Sequence, residues 1–382
     1  MRGDMVTLFL CGDVMLGRGV DQILPCPGDP LLWESYISDA RSYVGLAEAA
    51  NGAIPWPVGY AWPWGDALEV LEEVAPDVRV VNLETSVTRS GDVAEDKEVC
   101  YRMNPGNLPC LVAARPDVCV LANNHVLDFG RRGLEETLDS LAGAGLCAVG
   151  AGRDGEEARR PAEVDVGGGR RVLVFSFGAP SSGIPHRWAA GRGQAGVWLV
   201  PELSDAAAAD VVRRVRRARR PGDVVVVSVH WGSNWGYGVS RGQVRFARAL
   251  VDGGVDVVHG HSSHHPRPLE IYRGRPIVYG CGDFIDDYEG ISGHEEYRDD
   301  LRLLYFVSVR PDADRDADGD SGAGVGEPAA VRIVPMQARR MRLWHASDKD
   351  RAWLRETLER VSPGLRVSLE PGGLAVRSAV GG

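Results

Sequence analysis

Short runs of consecutive apolar residues alternate along this chain with stretches whose apolar positions recur every three to four residues. Residues 7–11, 78–81, 118–122, 172–177, 224–229, 255–258 and 277–279 read as strands buried on both faces, because their apolar runs show no polar alternation. Residues 66–74, 133–144, 205–219 and 242–251 carry helical periodicity between them. Strands that alternate with helices predict an α/β fold with largely parallel pairing. The later runs 303–309 and 331–335 flank no obvious helix, which predicts an antiparallel part of the sheet system. Two sheets packed together with helices outside fit this pattern. No internal repeat is visible.

Composition adjusts the picture little. The 382 residues are 44% hydrophobic with a formal net charge of −10, enough apolar material for a substantial core and the wrong sign for a general nucleic-acid binder. The arginine-rich run 213–220 shares a helix with Ala and Val and reads as a solvated helix face. The apolar run at the N-terminus is short and interrupted by Asp13, with no small-residue cleavage site after it, and no later window reaches transmembrane length. Seven scattered cysteines without CxxC spacing read as reduced thiols. A cytoplasmic protein with no membrane and no nucleic-acid partner is the expectation. Residues 312–327, rich in Asp, Gly and Ala, divide a main domain (1–310) from a C-terminal strand and helix (329–382) that complete it. Asp314, Asp316, Asp318 and Gly319 imitate the start of a calcium loop, but Val325 stands where its last carboxylate belongs.

The chemistry lies where the strands end. Asp13 closes the first strand in CGDVMLGR, Glu84 follows the second in VVNLETS, and Asn124 and His125 follow the third in LANNHVLDFG. His230 ends VVVVSVHWG, and His259 and His261 end VDVVHGHSSHHP. In an α/β sheet, residues beyond the carboxyl ends of strands converge in space. A mixed carboxylate, amide and imidazole set without cysteine suits a divalent cation, Mn²⁺, Mg²⁺ or Ca²⁺ in preference to structural Zn²⁺. No organic cofactor is indicated.

The series GDVMLGR, NLE, NNHVLDFG, HWG and GHSSHHP resembles the CapA family, the poly-γ-glutamate-synthesis type of protein within the calcineurin-like metallophosphoesterases. The resemblance runs from about Asp13 to about Asp300. It implies a four-layer α/β/β/α sandwich with metal ligands Asp13, Glu84, Asn124, His230 and His261, and His264 as a further ligand or a base. It also implies His125 as acid/base with Asp128 orienting it. Two departures count against a binuclear phosphatase centre: Met15 stands where phosphoesterases carry histidine, and Glu84 replaces the bridging Asp. The last family segment, usually ending Gly-Asn-Phe, reads Gly282-Asp283-Phe284 and goes on to Asp286, Asp287 and His294, with Arg298 as their counter-ion if the loop is merely structural.

Histidine–carboxylate pairs beside a weakly ligated metal suit proton transfer at a Cα–H. Among CapA-like proteins, those of lasso-peptide pathways are peptide epimerases, and this sequence is similar to that type. The expected enzyme inverts the C-terminal residue, an aromatic one such as Trp, of a ribosomal precursor peptide. His125, Asp128, His264, Asp283 and His294 are its catalytic set, with Arg102, Trp231 and Trp235 binding substrate. The Trp-rich loop 54–65, with Trp56, Trp62 and Trp64, is read as a peptide flap or an edge cover. A phosphoesterase and a non-catalytic accessory protein of polymer synthesis are the alternatives.

Overall fold

The computed structural model describes residues 5–95, 97–311 and 329–379. Its centre is the strand Val6–Val14, buried on both sides. Period-2 alternation sends Leu8 and Leu10 into one core and Phe9 and Cys11 into another. Val78–Leu83, Val118–Val120 and Cys147–Val149 extend the sheet in parallel on one side. Leu301–Val309, Ala330–Ala338, Gly373–Ser378 and Leu365–Glu370 extend it in antiparallel on the other. The antiparallel part expected from the late apolar runs is therefore this flank.

A second sheet of six strands has the order Leu269–Tyr272, Arg275–Val278, Val257–His261, Val224–His230, Arg171–Gly178, Ala162–Asp165. Val172, Val174, Val224, Val226 and Val257 meet Leu8, Leu10, Val78 and Val80 in the core between the sheets. The opposite face, with Leu173, Phe175, Val225 and Val227, is covered by the helices Asp205–Ala218 and Arg241–Asp252. Helices Arg41–Asn51, Ala67–Val74 and Gly130–Gly143 cover the outer face of the first sheet. The chain is a four-layer α/β/β/α sandwich.

The C-terminal helix expected within 329–382 runs over Asp348–Val361, held at its start by a Ser347–Asp350 capping box. Its apolar stripe is thin, but Leu354 and Leu358 pack against the antiparallel flank with Val331, Ile333 and Leu374. The strand expected at 255–258 runs over Val257–His261, so His259 and His261 lie on it. The arginine-rich helix buries Ala208, Val211 and Val215 and pairs Arg213 and Arg214 with Asp210 at its surface. The acidic stretch 312–327 and its calcium-loop imitation lie outside the described residues. No described helix is long and apolar enough to cross a membrane, and Cys11, Cys100, Cys110, Cys119 and Cys281 are buried free thiols.

One glycine places the site. A Cβ on Gly12 would sit 1.5 Å from the carbonyl oxygen of Gly282. Without it, the short strand Asp283–Ile285 lies parallel to Val6–Val14, with Asp13 in register with Asp283. Two carboxylates distant in sequence are thus set side by side.

Candidate functional site

Strand ends from both sheets meet in a polar cluster. Asp13, His230 and His261 are buried and bring a carboxylate oxygen and two imidazole nitrogens within 4.8 Å of one another. His230 Nδ1 lies 2.7 Å from His261 Nδ1. The remaining nitrogens are engaged: His230 Nε2 is 2.8 Å from Asn124 Oδ1, and His261 Nε2 is 2.8 Å from Ser228 Oγ. Ser228 Oγ is also 3.1 Å from His259, whose Nε2 donates to the Cys11 carbonyl at 2.8 Å. Asn82, two residues before Glu84 on the same strand face, donates to Asp13 Oδ1 at 2.7 Å and to Glu84 Oε2 at 3.3 Å. The five expected ligands are therefore contiguous.

The electrostatics of this cluster call for a cation. Burial pushes the Asp13 carboxyl up to about 7, and repulsion from Asp283 adds to it. Glu84 is raised well above the usual range by burial and then by Asp13. Burial drives His230 and His261 well below the ordinary imidazole value. Asp13 Oδ2 is buried with no hydrogen-bond partner. An orphaned carboxylate oxygen beside neutral imidazoles is what a divalent ion satisfies, so the residues present fit the metal that the resemblance implies.

Above the cluster lies a cleft of about 440 Å³, lined among others by Glu84, Tyr101, Asn124, His125, Trp235 and His264. Two histidines on it are backed by carboxylates. His125 Nδ1 donates to Asp128 Oδ2 at 2.7 Å, which leaves Nε2 free toward Glu84 Oε1, 3.8 Å away. Burial pushes His125 down to about 4, against the pull of Asp128. His264 Nδ1 lies 3.0 Å from Asp283 Oδ1. Burial lowers His264 too, but Asp283 overrides it and holds the imidazole above its ordinary value. Asp283 is in turn held below the usual carboxylate range, because His264 and Arg302 outweigh its burial. The two imidazoles are thus shifted in opposite directions, His125 toward its neutral form and His264 toward its charged form.

The remaining expected residues are divided between the cleft and the rest of the fold. Trp231 is fully buried, stacks on Tyr279 and donates Nε1–H to the Tyr279 carbonyl at 3.0 Å, so it is core and not a cleft wall. Arg102 is not on the cleft: its guanidinium donates to the Ser90 and Asp29 carbonyls at 3.0 Å and lies over Phe129. Trp235 does line the cleft, with His294 stacked on it at 3.7 Å. No hydrogen bond or ion pair joins the His294 ring to a carboxylate among the described residues, although its charge acts on neighbouring Glu295. Arg298 pairs with Asp300 and Asp350, while the counter-ions of the Asp283–Asp287 segment are Arg302, for Asp283 and Asp286, and Arg18, for Asp287. Trp64 is buried with its Nε1–H on the Cys110 carbonyl, Trp62 donates to the Arg340 carbonyl, Trp56 is exposed, and none of the three lines the cleft.

Sequence reasoning missed Lys97, Tyr101, Tyr288 and Arg18, all on the cleft. Lys97 Nζ donates to Asp128 Oδ1 and to the Asn124 carbonyl. These side chains come from loops or a helix start, where no periodicity marks them. Asn82 was findable, since period-2 alternation puts it beside Glu84.

The bacterial capsule synthesis protein family PGA_cap matches residues 7–288. A probable polyglutamine synthesis accessory protein of Mycobacterium tuberculosis is 54% identical over 374 residues, covering 97% of this chain and 95% of the relative. The PGA biosynthesis protein CapA of Bacillus subtilis is 29% identical over 234 residues, 61% of this chain and 58% of the relative. The matched span contains the strand-end cluster and both carboxylate-backed histidines. This chain belongs to the PGA_cap family of bacterial capsule synthesis proteins.

Proposed function

We propose that this chain is a metal-dependent peptide epimerase, which moves a proton at the Cα of an amino-acid residue in a peptide chain. The observation that supports this reading is the presence of two carboxylate-backed imidazoles, His125–Asp128 and His264–Asp283, on one cleft. A neutral imidazole is a proton acceptor and a charged one a donor, and environments that push two such groups apart mark an acid/base couple. His125 Nε2 takes the Cα proton, with Asp128 holding the tautomer. His264 Nε2 returns a proton to the carbon, with Asp283 stabilising its charge. Asn234, whose amide lies 3.0 Å from His264 Nε2, turns its amide oxygen or nitrogen to match the protonation of the ring.

Asp13, His230 and His261, with Asn124 and Glu84 beside them, would hold the ion, for which Mn²⁺, Mg²⁺ or Ca²⁺ suits the oxygen-bearing donor set better than Zn²⁺. Bound there, it supplies Lewis-acid stabilisation of negative charge on a substrate oxygen. A C-terminal aromatic residue of a ribosomal precursor peptide fits walls made of Tyr101, Tyr288 and Trp235. The relatives' names add an accessory role in polymer synthesis, which agrees with this chemistry because an amino-acid polymer is itself a peptide-like chain.

The test is a peptide ending in Trp, incubated in D₂O with enzyme and Mn²⁺. The expected result is one deuterium at that Cα and a mixture of L and D forms from either starting isomer. Metal-dependent phosphate release from p-nitrophenyl phosphate, with no exchange at Cα in cognate peptide or polymer, would replace the epimerase by a phosphoesterase on the same donors.

A further inference from the structure

Two phenols join the histidines of the cleft. The Tyr101 ring stacks on His125 with centroids 3.7 Å apart and planes at 17°. The Tyr288 ring meets His264 edge-on at 5.2 Å and 87°. Their hydroxyls are hydrogen-bonded to each other. Both backbones are tied to the same carboxylate systems: Tyr101 N–H donates to Asp128 Oδ2 at 2.6 Å, and Tyr288 N–H to Asp286 Oδ1 at 3.1 Å. The Arg18 guanidinium lies 4.9 Å from the Tyr101 ring centroid and 5.6 Å from that of Tyr288. Its own N–H groups are taken by Asp287, Glu34 and Tyr43, so it acts on the rings and is not a clamp for substrate.

The protons can be counted. Each phenol carries one O–H. One of the two is used in the mutual bond; the other meets no acceptor among the described residues, although both rings line the cleft. Burial raises both phenols well above their ordinary value, so both keep their protons. A cation over the rings draws electron density from them and sharpens the free O–H as a donor.

We infer that the Tyr101–Tyr288 pair is a hydrogen-bond donor site for a substrate oxygen, the carbonyl or carboxylate oxygen attached to the reacting carbon. The pair spans the two histidines, so an oxygen it holds is next to a carbon that both can reach. A donor fixed before the reaction stabilises charge as it develops on that oxygen. The inference rests on the proton-transfer reading of the cleft and adds to it the class of group recognised: an oxygen acceptor on an amino-acid or peptide Cα.

The proton count makes the two phenols redundant. Tyr101→Phe frees the Tyr288 O–H, and Tyr288→Phe frees that of Tyr101, whereas the double variant has no donor. Each single variant is expected to slow Cα deuterium exchange by less than about tenfold, and the double variant by about 10²-fold. Metal content and Tm should match the wild type, and effects that add or a fall in Tm mark a structural role and overturn the inference. A second readout needs no turnover: N-acetyl-L-tryptophan, titrated calorimetrically into the Mn²⁺-loaded proteins, should bind the double variant about tenfold more weakly than either single one. A double variant that binds and exchanges like wild type overturns the donor site and leaves the epimerase reading standing. Binding lost only in the double variant, with no exchange by wild type, keeps the donor site and overturns the epimerase reading. A wild type that neither binds nor exchanges overturns both.

Discussion

The Nδ1 atoms of His230 and His261 face each other at 2.7 Å, each ring with its Nε2 already engaged, one by Asn124 and one by Ser228. With both rings neutral and their Nε2 atoms protonated toward those partners, the two Nδ1 lone pairs face each other. A divalent ion would take both lone pairs as ligands, with an Asp13 carboxylate oxygen as the third donor. Purified protein is expected to hold about one divalent ion per chain by elemental analysis, and Asp13→Ala or His261→Ala to lose it. His259→Ala, which removes the partner of Ser228, should weaken metal affinity by roughly 10–100-fold without touching a ligand. Full metal retention in all three variants would mean that the cluster is a hydrogen-bonded network and nothing more.

The Asp13 shift gives a pH dependence with a definite sign. Its carboxyl titrates near 4 in an unfolded chain and is raised to about 7 in the fold. Between those values the folded state binds more protons than the unfolded one, so this group's contribution to stability is full below about 4 and is lost as pH rises to about 7. Asp286 and buried histidines shift in the same window and Glu84 follows Asp13, so the prediction is read on the difference between wild type and Asp13→Asn. In chelator-treated protein the wild-type advantage should shrink from pH 4 to pH 7 in denaturant melts and then level off. Metal affinity should rise over the same window, because the ion displaces that proton. A pH-independent difference would show that Asp13 is not perturbed.

The strand-end residues were legible in sequence because buried strands announce themselves as apolar runs, and a polar residue ending such a run stands out. Asp13, Glu84, Asn124, His230 and His261 were found that way, and the structure gathers them. What sequence could not show is orientation. Trp231 follows His230 directly, yet on a strand end successive side chains point to opposite faces, so His230 enters the site and Trp231 the outer core. The Arg102 guanidinium is held away from the cleft by the carbonyls of Ser90 and Asp29. Tyr101 beside it turns toward His125 instead. The C-terminal helix was legible only as lying within 329–382; its bounds, Asp348–Val361, were not, because few of its positions are apolar and only the flank it covers makes it fold there.

The two tryptophans of HWGSNWGYG separate stability from binding. Trp231→Ala removes a fully buried ring that packs with Phe246 and Tyr279, and should cost about 3–5 kcal/mol in denaturant melts. Trp235→Ala sits at the cleft, and its loss should change stability by less than about 1 kcal/mol while raising KM for peptide. Equal destabilisation by both would place Trp235 in the core as well. His294, stacked on Trp235 and without the carboxylate hydrogen bond that backs His125 and His264, should tolerate Phe with exchange reduced less than about tenfold, as a wall residue would and a proton carrier would not.

If His125 and His264 serve the two faces of one Cα, removing either splits a pair of events that wild type couples. In D₂O, an imidazole that takes a proton from one face returns deuterium to that face unless the other histidine delivers first. With His264→Ala, His125 still opens one isomer and recloses it with deuterium in the same configuration, so exchange continues without inversion. His125→Ala does the same for the other isomer. Each variant should therefore label one enantiomer of the terminal residue and leave the other unlabelled, with inversion down at least about 10²-fold in both. Asp128→Asn and Asp283→Asn should follow their own histidine, because each carboxylate fixes the tautomer or charge of one ring only. Chiral separation followed by mass spectrometry reads all four variants. A variant of either histidine that still labels both enantiomers would show that one base serves both faces, and the assignment of acceptor to His125 and donor to His264 would fall with it.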